Sequence, residues 1–213
     1  IGVSMSRLCD YQNLLAGYDT ILFDLDGTLY DQDRFYIGVF EQQGQWLEAQ
    51  GVQKDPGMWI NCMMGLKKAR GNDYPQLIDD ALELSGLDPA LKPMLLGLYR
   101  GYDCRTLFLG KAEKEVLEYL QMKHKTMCIV TNGRRTLQER KIQRLGLHSY
   151  ISQILILDPS SGDHLKPDPI AFQRICRDMS PGKTIMVGDR LDIDGGFAKN
   201  AGIDFLCVGF HGD

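Results

Sequence analysis

At 213 residues with 44% hydrophobic composition, the chain has material for one sizeable core, or for one core with an inserted subdomain. A formal net charge of −4 argues against a sequence-neutral nucleic-acid binder, which needs a basic excess to meet the phosphate backbone. No apolar run reaches the roughly 20 residues that span a bilayer, and Ile1–Gly17 has no basic region leading into an apolar one, so neither a membrane segment nor a signal peptide is expected. Met5 reads as a candidate native first residue. The six cysteines, Cys9, Cys62, Cys104, Cys128, Cys176 and Cys207, are scattered singly with no C-x-x-C pair; they read as reduced thiols in a cytoplasmic protein.

Taken in chain order, the first buried strand is Thr20–Asp24 (TILFD). Residues 31–105 then carry no strand pattern. They read as helices over roughly Phe35–Gln50, Gly57–Arg70, Tyr74–Ser85 and Pro93–Tyr102, separated by turn signals at Asp55-Pro56, Gly71-Asn72 and Gly86–Pro89. Beyond them strand and helix alternate. Apolar runs occur at Thr126–Thr131 (TMCIVT), Ile151–Leu157 (ISQILIL), Thr184–Asp189 (TIMVGD) and Phe205–Gly209 (FLCVG). Amphipathic stretches fall at Ala112–Lys123, Thr136–Leu145, Pro169–Met179 and Gly195–Ala201. The strand runs are continuous rather than alternating, as suits strands covered on both faces. The expected fold is therefore α/β, a parallel sheet wound by right-handed helical crossovers, built from residues 1–30 and 106–213 with an all-helical insert over 31–105.

Four places concentrate chemistry, and each falls at or just beyond the carboxyl end of an expected strand, the edge where open parallel sheets bind ligands. Asp24 and Asp26 stand two residues apart in Ile21–Tyr30 (ILFDLDGTLY), an arrangement costly beside a core unless a cation or hydrogen-bond donors compensate. Thr131-Asn132-Gly133 follows the second run and can aim side-chain and backbone donors at a phosphate. Lys166 precedes a proline-defined helix start at Pro167-Asp168-Pro169. Asp189, Asp192 and Asp194 crowd the end of the fourth run. Crowded acids call for a hard cation such as magnesium, although Asp192 also reads as a helix-start aspartate favoured by the macrodipole.

Together these residues resemble the haloacid dehalogenase superfamily. Asp24-Leu25-Asp26-Gly27-Thr28 is similar to its first motif, D-x-D-G-T; Thr131 to its second; Lys166 to its third; and Gly188-Asp189 with Asp194 to its acidic fourth, in the same order and over about Thr20 to Gly209. The resemblance implies a Rossmann-like core, with the insert as a helical cap of the first type. Gln138, Lys141 and Gly146-Leu147, taken with Thr131-Asn132-Gly133 and Lys166–Pro169, look like the pyrimidine nucleotidase-like and N-acylneuraminate 9-phosphatase-like subgroup. One departure is the stretch Asp158–His164, where many relatives carry Glu-x-x-Gly before the lysine.

The chemistry so implied is magnesium-dependent hydrolysis of a small phosphorylated metabolite, such as a sugar phosphate or nucleotide. Asp24 is the expected nucleophile, forming an aspartyl-phosphate. Asp26 is the expected acid and base, protonating the leaving oxygen and then activating water. Magnesium would be held by the Asp24 side chain, the Asp26 backbone carbonyl and Asp189, with Asp194 orienting Lys166 or metal-bound water. Thr131, Asn132 and Lys166 are the expected phosphate contacts. Asp26 argues against a dehalogenase, because a halide leaves without a proton. A phosphomutase of the same fold, and a non-catalytic member that binds a metabolite or partner, are the alternatives. A response-regulator-like receiver would be shorter and would lack the insert. Tyr30, Arg34, Tyr36, Lys67, Lys68 and Arg70 are candidate cavity contacts, and for the last three a solvated helix face is the competing expectation. The expected assembly is a monomer or homodimer.

Overall fold

The structure is a computed structural model that describes residues 6–71 and 74–210. Met5, Asn72 of the Gly71-Asn72 turn and the residues after Phe210 lie outside them. Packing divides the chain into two compact units, one formed by the chain up to Gln32 together with that from Leu107 onward, the other by Asp33–Thr106.

The first unit is built on five parallel strands: β1 Thr20–Phe23, β2 Thr126–Asn132, β3 Gln153–Leu157, β4 Thr184–Gly188 and β5 Asp204–Cys207, in the order β3-β2-β1-β4-β5. A short helix, α1 (Gln12–Leu15), precedes the sheet. The central β1 is buried along its whole length, which is why its sequence shows no polar alternation. Side chains of one pleat, Leu22, Cys128, Val130 and Met186, pack with Ala171, Ile175, Phe197 and Ala198 into one core cluster. The larger of these, Leu22, Val130, Ile175, Met186 and Phe197, contribute about 1.5–3 kcal/mol each when fully buried.

The order of strands fixes where a site can form. The chain leaves β1 in one direction to β2 and β3, then returns to the other side of β1 for β4 and β5. Crossovers on either side of β1 and β4 therefore diverge, opening a crevice at their carboxyl ends. Phe23 is in register with Ile129 on β2 and Val187 on β4, so residues just after these three strands share one edge of the sheet.

Among its described residues the second unit carries the α-helices α2 (Gln32–Ala49, beginning one residue before the unit), α3 (Pro56–Arg70), α4 (Leu77–Leu84) and α5 (Lys92–Gly101). Pro56 opens α3 where a helical N–H has no partner to lose, and the Asp55 side chain accepts from Gly57 N at 2.8 Å. Gln43 ties three of these helices: it accepts from Trp59 Nε1 at 3.0 Å and donates to the Leu95 carbonyl at 2.9 Å. The remaining helices, α6 (Lys111–Met122), α7 (Arg135–Arg144), α8 (Ile170–Asp178) and α9 (Gly196–Ala201), belong to the sheet unit. No helix among the described residues is long and apolar enough to cross a membrane.

The element boundaries that differ from expectation have local causes. Tyr74 stays outside α4 because Pro75 disfavours a helical residue before it, and its hydroxyl reaches forward to Asp80 at 2.6 Å. Ile151 finishes a turn, its N–H on the Leu147 carbonyl, so β3 starts at Gln153. Helix α2 starts three residues before Phe35, in a polar turn where Asp33 suits the helix dipole.

Candidate active site

The loop after β1 turns sharply. Asp24 keeps its N–H on the Val187 carbonyl at 2.9 Å, and Gly27 turns the chain back at φ +76°. Gly27 is required twice over, because a Cβ there would also lie 2.4 Å from Asp189 Oδ2. The glycine of D-x-D-G-T thus lets the β1 and β4 loops approach each other. Gly188 does the same locally: a Cβ would lie 2.3 Å from Asp194 Oδ2. Gly27→Ala is expected to destabilise the fold by roughly 1–3 kcal/mol from backbone strain and displacement of Asp189, read as a lowered midpoint of thermal unfolding; an unchanged midpoint would disprove the double requirement.

Lys166 is the buried hub. Its Nζ lies 2.6 Å from Asp24 Oδ1 and 2.6 Å from Asp194 Oδ1. Burial alone would lower the lysine's pKa, but Asp24 and Asp194 overcome it and hold the ammonium charged, above its ordinary range. Asp194 is buried on the π turn Leu191–Gly195, its Oδ2 accepting from Arg190 N at 3.1 Å. The lysine's backbone is held from across the edge. Asn132 Oδ1 accepts from Lys166 N at 2.9 Å and Asn132 Nδ2 donates to Lys166 O at 3.1 Å.

The loop leading to Lys166 is pinned by its own aspartates. Asp158 accepts from Arg135 N at 2.8 Å and from Ser160 N and Oγ at 2.8 and 2.7 Å, while Asp163 accepts from Asp158 N at 3.0 Å. Asp158–His164, which stands where Glu-x-x-Gly was expected, is thus ordered by its own aspartates.

Asp26 occupies a separate cradle. Lys141 Nζ approaches its Oδ1 at 2.6 Å, Gln138 Nε2 donates to its Oδ2 at 2.8 Å, and the Tyr30 hydroxyl donates to Oδ1. Gln138 Nε2 also donates to Thr131 Oγ1 at 2.8 Å, leaving the threonine its own hydrogen to offer elsewhere. Burial would raise the Asp26 carboxyl, but Lys141, with the Tyr30 and Gln138 hydrogen bonds, brings it below the usual carboxylate range. Sequence reasoning had no use for Gln138 and Lys141 beyond their family pattern. Their spacing on α7 puts both on one face, and both are buried. Tyr30, an expected cavity contact, bonds Asp26 on a loop that folds back so that Asp26 and Tyr30 pair as a β-bridge.

Asp24, Asp189 and Asp194 offer carboxylate oxygens that all lie within 4.8 Å of one another. Burial pushes Asp24 up to about 7 against the pull of Lys166, and burial with the charge of Asp194 pushes Asp189 up to about 7. Asp192 points away, paired with Arg190 at 2.8 Å, as a local helix-start residue would.

In the helical unit, Lys67 is buried, paired with Asp33 at 2.6 Å and placed 4.6 Å over the Tyr36 ring, so it is not on a solvated helix face. Lys68 and Arg70 are exposed, Arg70 lying 5.6 Å from the Tyr74 ring. Arg34 is exposed, and its carbonyl accepts from Thr106.

The haloacid dehalogenase-like hydrolase family profile matches residues 18–202. The chain is a haloacid dehalogenase-like hydrolase. It is similar to a glyceraldehyde 3-phosphate phosphatase of Methanopyrus kandleri, at 25% identity over 86% of this chain and 80% of the relative. It is also similar to a pyrimidine 5'-nucleotidase of Streptococcus pneumoniae, at 31% identity over 91% and 85%. Among solved structures, a protein described as a putative phosphatase from Clostridium difficile superposes with a TM-score of 0.64 at 26% identity, covering 91% of this chain and 86% of that one. In this hydrolase the stretches that resemble the four family motifs gather at one edge of the sheet.

Proposed function

We propose that this hydrolase is a magnesium-dependent phosphatase acting on a small phosphorylated metabolite through an aspartyl-phosphate on Asp24. The observation that carries the reading is the charge count at the crevice. Asp24, Asp26, Asp189 and Asp194 face Lys141 and Lys166, which leaves two negative charges among these six groups. Burial raises Asp24 and Asp189 to about 7, with the neighbouring carboxylates adding to it, and a divalent hard cation would relieve the excess of negative charge. The side chains of Asp24 and Asp189 and the Asp26 carbonyl would hold magnesium, which when bound neutralises charge on the transferring phosphoryl group.

The chain's own residues supply the remainder. Asp24, at the end of a rigid central strand, attacks phosphorus. Lys166 aligns the Asp24 carboxylate and offers its positive charge to phosphate oxygens, and the hydroxyl hydrogen of Thr131 is placed to donate to another. We assign Asn132 mainly to seating Lys166, since both ends of its amide are engaged there. Asp194 orients the lysine from behind. Asp26, ionised as found, suits acceptance of a proton from water during hydrolysis of the phosphoenzyme, and it takes up that role's counterpart, protonating the leaving oxygen, once it has gained a proton. The helical unit is assigned the role of cap.

Phosphomonoesters resembling the substrates named for the relatives, three-carbon sugar phosphates and pyrimidine nucleotides, head the test panel. Phosphate release is expected with magnesium, lost with chelator and restored on adding the metal back. Metal-independent release, or none from any compound, would reject the proposal.

A further inference from the structure

Outside the nucleophile and its lysine lies a second buried ammonium with no part in the reaction as described above. Lys141 is a charged side chain 5% exposed, 2.6 Å from an Asp26 carboxylate that is itself 17% exposed. Burying an ammonium is costly unless it is paired with good geometry, and a helix held at the sheet edge by Leu137 and Ile142 could carry an apolar residue at this position instead. Its partner is fixed on further sides: Gln138 grips the other carboxylate oxygen, and the Tyr30 hydroxyl shares the oxygen that Lys141 holds. A carboxylate accepting from three side chains has lost the rotamer freedom that a loop aspartate would otherwise keep. Gln138 also bridges to Thr131, so the same amide sets the directions of the Asp26 carboxylate and the Thr131 hydroxyl together.

We propose that Lys141, assisted by Gln138, is a positioning residue of the reaction, acting through Asp26 by fixing the direction of its carboxylate. The inference rests on the phosphatase reading, in which Asp26 moves the protons. The influence assigned to Lys141, exerted through Asp26, is on turnover rather than on substrate binding. Gln138 extends that influence to the threonine, so replacing Gln138 disturbs both turnover and phosphate affinity, whereas replacing Lys141 disturbs turnover alone.

The test is a double-mutant cycle with Lys141→Met and Asp26→Asn, followed in two readouts. In steady-state kinetics with magnesium, Lys141→Met is expected to lower kcat by about 10–100-fold, the usual effect of removing a group that orients a reacting one, with KM unchanged. Lys141→Arg is expected to recover part of the loss, and adding Lys141→Met to Asp26→Asn is expected to cost nothing further. Losses that multiply in the double variant, or a rise in KM with kcat intact, would overturn the proposal. The second readout is the urea midpoint of the same four proteins without substrate. Non-additive midpoints are expected, because removal of either partner breaks the same pair; additive midpoints would overturn it. A wild-type protein inactive on every phosphomonoester would reject the phosphatase reading alone, and the urea cycle would still decide the contact.

Discussion

Asp24→Asn is expected to reduce phosphate release by on the order of 10⁴–10⁶-fold, the range found when an enzyme loses the atom that makes its covalent bond. The fold should survive. The asparagine keeps a carbonyl oxygen where Lys166 approaches at 2.6 Å, and it removes a charge that burial disfavours. The direction with pH follows from the raised carboxyl. A group whose folded pKa is lifted from 3.8 to about 7 gives stability that is full below pH 4 and lost as pH rises through 7. The metal-free wild type should therefore weaken between about pH 4 and 7 more than Asp24→Asn does, and above pH 7 the variant should unfold no earlier than wild type. Kinetics with a phosphorylated substrate, mass spectrometry for a trapped phosphoenzyme and thermal unfolding with chelator check the three parts. Full activity in the variant would end the covalent mechanism.

Lys166→Met tests the opposite imbalance. It leaves Asp24 and Asp194 buried beside each other with no ammonium between them. Breaking a buried pair by removing one partner typically costs about 3–5 kcal/mol, which at about 2–4 °C per kcal/mol for a chain of this size lowers the unfolding midpoint by roughly 6–20 °C. The loss should be largest above pH 7, where Asp24 gives up its proton, and smaller near pH 5, where Asp24 holds it. Turnover should fall as well, since nothing then aligns the nucleophile. Thermal unfolding at pH 5 and 8 reads the first effect; a midpoint equal to wild type at both would mean that Lys166 is not the charge that holds the crevice together.

These two variants differ in sign because the site carries more negative than positive charge, a property only partly readable from the sequence. The strands announced themselves: TILF, TMCIV and TIMVG are covered on both faces and show it as unbroken apolar runs. Most motif residues followed, because Asp24 and Asp189 directly succeed β1 and β4 and Thr131 stands at the end of β2, whereas Lys166 lies nine residues beyond β3. What sequence order could not display were the partnerships made across it. Lys141 and Gln138 meet a carboxylate more than 100 positions earlier, so on a helical wheel they resemble any polar face. Lys67 looked like its exposed neighbour Lys68, and only the packing of Asp33 and Tyr36 around it distinguishes them. Tyr30 read as a substrate contact because the fold-back of its loop depends on Gly27, whose second reason for being glycine is an aspartate 162 positions away.

The two-pronged grip of Asn132 on the Lys166 backbone separates two tasks that a single loop would otherwise have to perform. The lysine's height above the sheet is set from β2, a rigid strand, and not by the segment that precedes it in the chain. A substitution in Asp158–His164 that spares Asp158 and Asp163 should then leave the ammonium on the nucleophile.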